Sequence, residues 1–303
     1  MKVVADLREI MNSENTLILA ADHGLELTGS VVFNEMGLDF RVGFASDKNG
    51  QKWVLRIPRR DDMATQIKHE NKILGLAKKY LTAAVPDWHI ATPHLVAYPL
   101  LPGKPVLTYD ATTYEVTWNI DQESNQFVTS LAKLLVELHS VPTGAAEQQG
   151  LSFVTSDDAR KELIDNIDAV KKELVINADL EARWRNWAAN DSLWPTFSTF
   201  IHGDLYAGHI LAERDGNIRG VIDWSEAKVS DPSTDFSGHI AAFGKDSLRE
   251  LIEKYKEFGG RVWNTMFEQT VERHAASPLN YAVFALKTNS EEHVEAAKAQ
   301  LGV

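Results

Sequence analysis

One stretch, Phe200 to Glu226, reads FIHGDLYAGHILAERDGNIRGVIDWSE and limits the fold more than any other part of the 303-residue chain. An apolar run from Phe197 to Ile201 turns abruptly polar at His202-Gly203-Asp204, and His209 follows Asp204 by five residues. Ile210-Leu211-Ala212 is apolar again, Asp215-Gly216-Asn217 is a turn signal, and Gly220-Val221-Ile222 ends at Asp223. The pattern is loop, strand, tight hairpin, strand, acid. A hairpin returns its two ends to one place, so the spacing predicts that Asp204, His209 and Asp223 share a small volume.

Phosphoryl transfer suits such a grouping. It needs a carboxylate at the attacking hydroxyl and a few ligands for the metal that bridges the phosphates. In the kinase catalytic loop a metal ligand lies five residues beyond the Asp base, and a second metal-binding Asp follows a short hairpin. Asp204, His209 and Asp223 match that order, with Asp204 and Asp223 19 residues apart.

HGDLYAGH followed by IDWSEA resembles the aminoglycoside phosphotransferase superfamily of protein-kinase-like small-molecule kinases. Most of that group carry Asn where this chain has His209. With IHGDLYAGHIL, VIDWSEAKVSDPSTDF, NEMGLDFRV, WVLRIPRR, AVPDW, LVAYPLL, ELHSVP and YAVFAL as further matches, the departure is similar to the macrolide 2′-phosphotransferase branch. The resemblance covers nearly the whole chain. It implies a two-lobed α+β kinase-like fold, with an N-lobe at residues 1–103 built on an antiparallel sheet and a mainly helical C-lobe at residues 104–303. The donor would be GTP, with ATP as the alternative, and Mg²⁺ the cofactor. The acceptor would be the 2′-hydroxyl of a macrolide's desosamine, and its phosphorylation would inactivate the drug.

Bulk properties agree. A net charge of −12 disfavours nucleic acid or an anionic membrane surface as partner, because phosphate binding needs a basic face. The absence of cysteine excludes a disulfide framework and a thiolate nucleophile. MKVVADLREIMNSEN has no long apolar run or small-residue cleavage site, and no stretch approaches the ~18 apolar residues of a membrane span. The expectation is a cytoplasmic monomer.

Along the chain, residues 13–23 read as a helix ending at Gly24. Strands follow near 29–35, 39–46 and 52–57, with Asn49-Gly50 as a hairpin turn. The loop Asn34-Glu35-Met36-Gly37 stands where kinases cover the nucleotide phosphates, although Gly37 is its one glycine. Arg56 on the third strand supplies the cation that kinases place there, or belongs to a surface patch with Arg59 and Arg60. Asp61 to Lys79 reads as a helix whose apolar face includes Glu70, either the partner of Arg56 or a solvated residue at the stripe's margin. Leu95 to Leu101 reads as a buried strand running into Pro102-Gly103. By resemblance it is the nucleotide hinge, with Leu100 and Leu101 near the base and Tyr98 behind it. Residues 107–120, including Tyr109, Tyr114 and Trp118, look extended. Gln122 to His139 is an amphipathic helix, and further helices occupy most of the remainder.

Asp204 is the expected general base and Asp223 a Mg²⁺ ligand. His209 is a poor partner for hard Mg²⁺. It either ligates the metal weakly or hydrogen-bonds Asp204 or a phosphate. An Asp at position 231 often braces the catalytic loop in kinase-like folds; Asp231 and Asp235 read as structural or capping residues, although either could also favour a cationic drug, as could Glu226. Tyr206, Trp224, Phe236 and Tyr281 are candidate walls for a broad apolar substrate cleft. Two other readings stay open: a kinase of an aminoglycoside or another small alcohol, and a nucleotide-binding pseudokinase that has lost the Asn.

Overall fold

The computed structural model describes residues 12–302 apart from 36, 38, 111, 112, 114 and 289. Met36, Tyr114 and most of the N-terminal stretch considered above therefore lie outside the described residues. The chain divides into two compact units: residues 1–120 with 210–214 and 218–225, and residues 121–209 with 215–217 and 226–303.

The first unit opens with α1 (Ser13–Asp22), capped by the Asn12 side chain, which accepts the Asn15 N–H at 2.9 Å. Five strands follow: β1 (Leu27–Asn34), β2 (Phe40–Asp47), β3 (Lys52–Pro58), β4 (Ile90–Ala91) and β5 (Val96–Pro99). They form one antiparallel sheet in the order β1-β2-β3-β5-β4, larger than the three-stranded meander expected from sequence. Strand alternation divides its apolar residues between two faces. Val31, Ala45, Trp53, Leu55, Ile57 and Ala97 pack around Ala20 of α1. On the other face Phe40, Val54, Val96 and Tyr98 meet Met63 and Ile67; Ile67 belongs to α2 (Ala64–Tyr80), which follows a single 3₁₀ turn at Asp61–Met63. A second sheet joins β6 (Lys104–Pro105) to β10 (Ile210–Ala212) and β11 (Ile218–Val221). The segment read as extended forms a hairpin of β7 (Leu107–Tyr109) and β8 (Val116–Trp118).

The second unit is mainly helical, as expected. Its helices are α3 (Asn125–His139), α4 (Thr143–Gln148), α5 (Ser156–Glu173), α6 (Ala178–Ala189), α7 (Thr234–Glu257), α8 (Met266–Ala275), α9 (Ser277–Thr288) and α10 (Glu291–Gln300). Strands β9 (Thr199–Ile201) and β12 (Lys228–Ser230) pair antiparallel. The amphipathic stripe of α3 is buried as its spacing requires: Phe127, Leu131, Leu134, Leu135 and Leu138 are all inside. A core of Ile167, Val170, Trp184, Trp187, Leu279 and Leu301 joins α5, α6, α9 and the C-terminal end. No helix among the described residues is long and apolar enough to cross a membrane.

Helix α7 breaks at Gly244, where φ is 80° and ψ −178°. His239 bridges the break, its Nε2 2.8 Å from Ser247 Oγ, and stacks on Phe127 and Phe243. Its Nδ1 is buried without a hydrogen-bond partner. Burial pushes its pKa down to about 4. Because the unfolded chain protonates near 6.5, the stability that neutral His239 supports is complete above that pH and lost as pH falls towards 4. A gap of roughly 2.5 units corresponds to about 3 kcal/mol. Urea midpoints measured between pH 7 and pH 4.5 should therefore fall more steeply for the wild type than for His239→Phe. Parallel declines would show that His239 does not carry the acid sensitivity.

Candidate active site

In the first unit, strand register decides which side chains meet. Val42 stands opposite Arg56, and Arg56 opposite Val96; Phe44 stands opposite Val54, and Val54 opposite Tyr98. Directly opposed residues point to the same face. Val32, paired with Phe44, joins them. Helix α2 covers part of this face and places Glu70 against Arg56: Nη1 lies 2.7 Å from Oε1, with side chains 11% and 0% exposed. The surface-patch reading of Arg56 therefore gives way to a buried ion pair. The guanidinium also lies 4.1 Å from the Phe40 ring centroid and 5.6 Å from that of Trp88. Burial pushes the Glu70 carboxyl up, against the opposing charge of Arg56. Burial likewise pushes Tyr98 up to about 12, with Arg56 opposing and Glu70 adding to the shift.

Asp223 belongs to the same neighbourhood, since its charge acts on Arg56, Glu70 and Tyr98 alike. It is the one non-glycine among the described residues with positive φ, at 62°. That conformation costs on the order of 1 kcal/mol or more and is held only where its surroundings enforce it. Trp224, fully buried and donating Nε1–H to Val221 O at 3.0 Å, anchors the next residue. The face retains two exposed apolar side chains, Val32 at 66% and Phe44 at 38%, and the Trp88 Nε1 and Glu70 Oε2 atoms are buried with no hydrogen-bond partner. Sequence reasoning missed Val32, Phe44 and Trp88. The signal was the alternation of β2 (Phe40, Val42, Phe44), which needs the β2–β3 register before it can be tied to Arg56.

In the second unit, β9 delivers the chain into the His202–His209 loop. Gly203 has φ 88°, and a Cβ there would lie 2.3 Å from the Glu226 carbonyl oxygen, so a side chain is excluded. The brace of this turn is Asp235, not Asp231: Asp235 Oδ2 accepts the His202 N–H and Oδ1 the Gly203 N–H, each at 2.9 Å. Buried His202 accepts the Asp204 N–H on Nδ1 at 3.3 Å. The Asp204 carboxylate is 56% exposed, with Oδ2 3.5 Å from His209 Nδ1. The shorter contact of His209 Nδ1, 2.9 Å, is to the Asp204 carbonyl oxygen. A carbonyl only accepts, so the proton sits on Nδ1 and the ring's lone pair on Nε2. The Tyr206 ring meets His209 edge-on at 4.3 Å.

Other sequence candidates land elsewhere. Asp231 is buried and accepts from Ser233 N, Gln269 Nε2 and Arg273 Nη2 at 2.9, 2.7 and 2.6 Å, which makes it part of the framework and leaves it unsuited to contact a drug. Phe236 is fully buried against His139 and Tyr255; it and Trp224 are core residues and not walls of an open cleft. Tyr281 packs against Phe284 and places its hydroxyl 3.0 Å from His293 Nδ1. Glu226 is exposed, with its backbone against Gly203. The Gly37 carbonyl accepts from Arg59 Nε at 2.8 Å, and a Cβ on Gly37 would meet Phe40 O at 2.4 Å. The Leu100 N–H donates to Lys52 O at 2.8 Å, so it is not a donor for a base. Leu101 is half-buried in the same unit.

For a metal, the donor set is sparse. No group of three or more His, Cys, Asp or Glu able to hold an ion occurs among the described residues. That fits Mg²⁺, which takes one or two carboxylates and completes its shell with water and phosphate oxygens, and speaks against an all-protein cage. In the first unit Asp223 carries a hard carboxylate oxygen, and in the second unit the Nδ1–H tautomer of His209 puts the ring's lone pair on Nε2.

Comparison with known proteins agrees with the fold. The chain is 41% identical, over 288 residues and 94% of both proteins, to the uncharacterized protein YcbJ of Bacillus subtilis (strain 168). It superposes on a macrolide 2′-phosphotransferase type I with a TM-score of 0.90 and 41% identity, covering 95% of this chain and 96% of that one. The apoenzyme of macrolide 2′-phosphotransferase MphH from Brachybacterium faecium gives 0.87 and 38%, covering 95% and 98%. The profile of the phosphotransferase enzyme family matches residues 30–268, so the chain belongs to that family.

Proposed function

We propose that the protein transfers the γ-phosphoryl group of GTP, or of ATP, to the 2′-hydroxyl of a macrolide's desosamine. The observation that carries this reading is likeness along nearly the whole chain to two macrolide 2′-phosphotransferases at 38–41% identity. Asp204, its carboxylate exposed and its backbone held by His202 and His209, orients the acceptor hydroxyl and takes its proton late in a loose transition state. The base of the nucleotide stacks on the face that carries Val32 and Phe44, near Tyr98, Leu100 and Leu101, and Arg56 meets the phosphates. Asp223 and His209 are the residues that would hold Mg²⁺, which when bound would neutralise charge on the phosphates. Tyr206 and Glu226 remain as acceptor contacts.

The test is a phosphorylation assay of purified protein with Mg²⁺, erythromycin, and GTP or ATP, alongside kanamycin and a simple alcohol. Phosphorylated erythromycin is the expected product. Turnover of kanamycin or the alcohol alone would move the acceptor class, and nucleotide binding without transfer to any acceptor would leave a pseudokinase.

A further inference from the structure

Beneath the His202–Asp204 turn runs a line of buried polar groups that neither packing nor the transfer step accounts for. His139, at the end of α3, places Nε2 3.2 Å from Asp235 Oδ2 and Nδ1 3.0 Å from the Tyr255 hydroxyl. The His139 side chain is 2% exposed, that of Asp235 0%, and Tyr255 1%. Asp235 in turn accepts the His202 and Gly203 N–H groups.

The proton positions follow from what each atom can do. A carboxylate only accepts, so His139 Nε2 carries a hydrogen. With its hydrogen on Nε2, the ring presents a lone pair on Nδ1, so the Tyr255 O–H donates to it at 3.0 Å. The result is a line of donors with one sense: Tyr255 O–H to His139, His139 Nε2–H to Asp235. Three N–H groups converge on this buried carboxylate. Removing one leaves part of that charge unsatisfied and frees the carboxylate to rotate, and the two loop amides move with it.

We propose that His139 is a positioning residue of the transfer reaction: held as the Nε2–H tautomer by Tyr255, it orients Asp235 and so fixes the turn that presents Asp204. The inference rests on Asp204 being the base. It makes His139 and Tyr255 contributors to kcat, although neither touches substrate.

The experiment compares His139→Leu, His139→Gln and Tyr255→Phe with the wild type. Two readouts are taken: hydrogen exchange of the residue 200–209 amides, and kcat against KM for the nucleotide and the acceptor. In His139→Leu the His202 and Gly203 amides should exchange about tenfold faster or more. Its kcat should fall by about tenfold or more, while both KM values stay within roughly threefold. His139→Gln, which keeps a donor towards Asp235, should recover most of both effects, and Tyr255→Phe should show a smaller loss of the same kind. Should His139→Leu fail to fold, the ordering of wild type, Gln variant and Tyr255→Phe carries the test. Unchanged exchange in the folded variants overturns the proposal, and so does faster exchange with unchanged kcat. The exchange readout needs no acceptor, so it decides the point even where erythromycin proves not to be the substrate.

Discussion

Asp204→Ala should lower kcat by about 10²- to 10⁴-fold and leave the melting temperature where it is. The two halves of that expectation have separate origins. The carboxylate is more than half exposed and makes no contact shorter than 3.5 Å with His209, so its removal creates no cavity and leaves no buried partner. The turn is held through the backbone, by Asp235 on His202 and Gly203 and by His209 on the Asp204 carbonyl. Asp204→Asn, which keeps the shape and loses the proton acceptor, should fall almost as far. Steady-state kinetics and a thermal melt on the same samples check both halves. A variant within threefold of wild-type kcat would remove Asp204 from the role of base, and a large drop in melting temperature would recast it as a structural residue.

Glu70→Ala should destabilise the protein by about 3–5 kcal/mol, because it leaves the Arg56 guanidinium buried and unpaired. Glu70 is completely buried and Arg56 nearly so, and neither charge can recover its water without opening the α2 face of the sheet. The pair itself is not a large source of stability. Burial outweighs the attraction of Arg56 at the Glu70 carboxyl, and buried ion pairs often exchange for apolar residues of like volume at little cost. The double variant Arg56→Met/Glu70→Leu should therefore regain most of the stability lost in Glu70→Ala and still bind nucleotide far more weakly than the wild type. Urea denaturation with calorimetric titration of GTP and ATP separates the two properties. A double variant as unstable as the single one would mean that the ion pair holds this face together. One that binds nucleotide normally would remove Arg56 from the donor site.

The ion pair was legible only as one of two readings, and the strand and helix periods left a surface patch and a solvated margin equally open until the packing of α2 on the sheet decided. Period two places Arg56 on one face of β3, and period 3.6 places Glu70 in or at the margin of the apolar stripe of α2, where a buried carboxylate needs a partner and a marginal one does not. The hairpin around Asp215-Gly216-Asn217 was legible for a similar local reason. Identity of the brace was not. Asp231 and Asp235 lie four residues apart in DPSTD, both are buried, and only the tertiary path gives one to the loop amides and the other to Arg273 and Gln269. Trp224 and Phe236 show the same limit. Nearness to a motif in sequence does not say whether a side chain points to solvent or inwards, and both point inwards.

The interleaving of the two units bears on how such enzymes can be recombined. Residues 210–214 and 218–225, with Asp223 among them, belong to the same unit as residues 1–120, yet lie between the Asp204 loop and α7 in the chain. A chimera cut once near residue 120 would take β10 and β11 from a different parent than β6, their sheet partner, and would set the Asp223 of one protein beside the Arg56 and Tyr98 of another. A recombinant meant to keep the first unit whole therefore has to move two separate segments of the chain together.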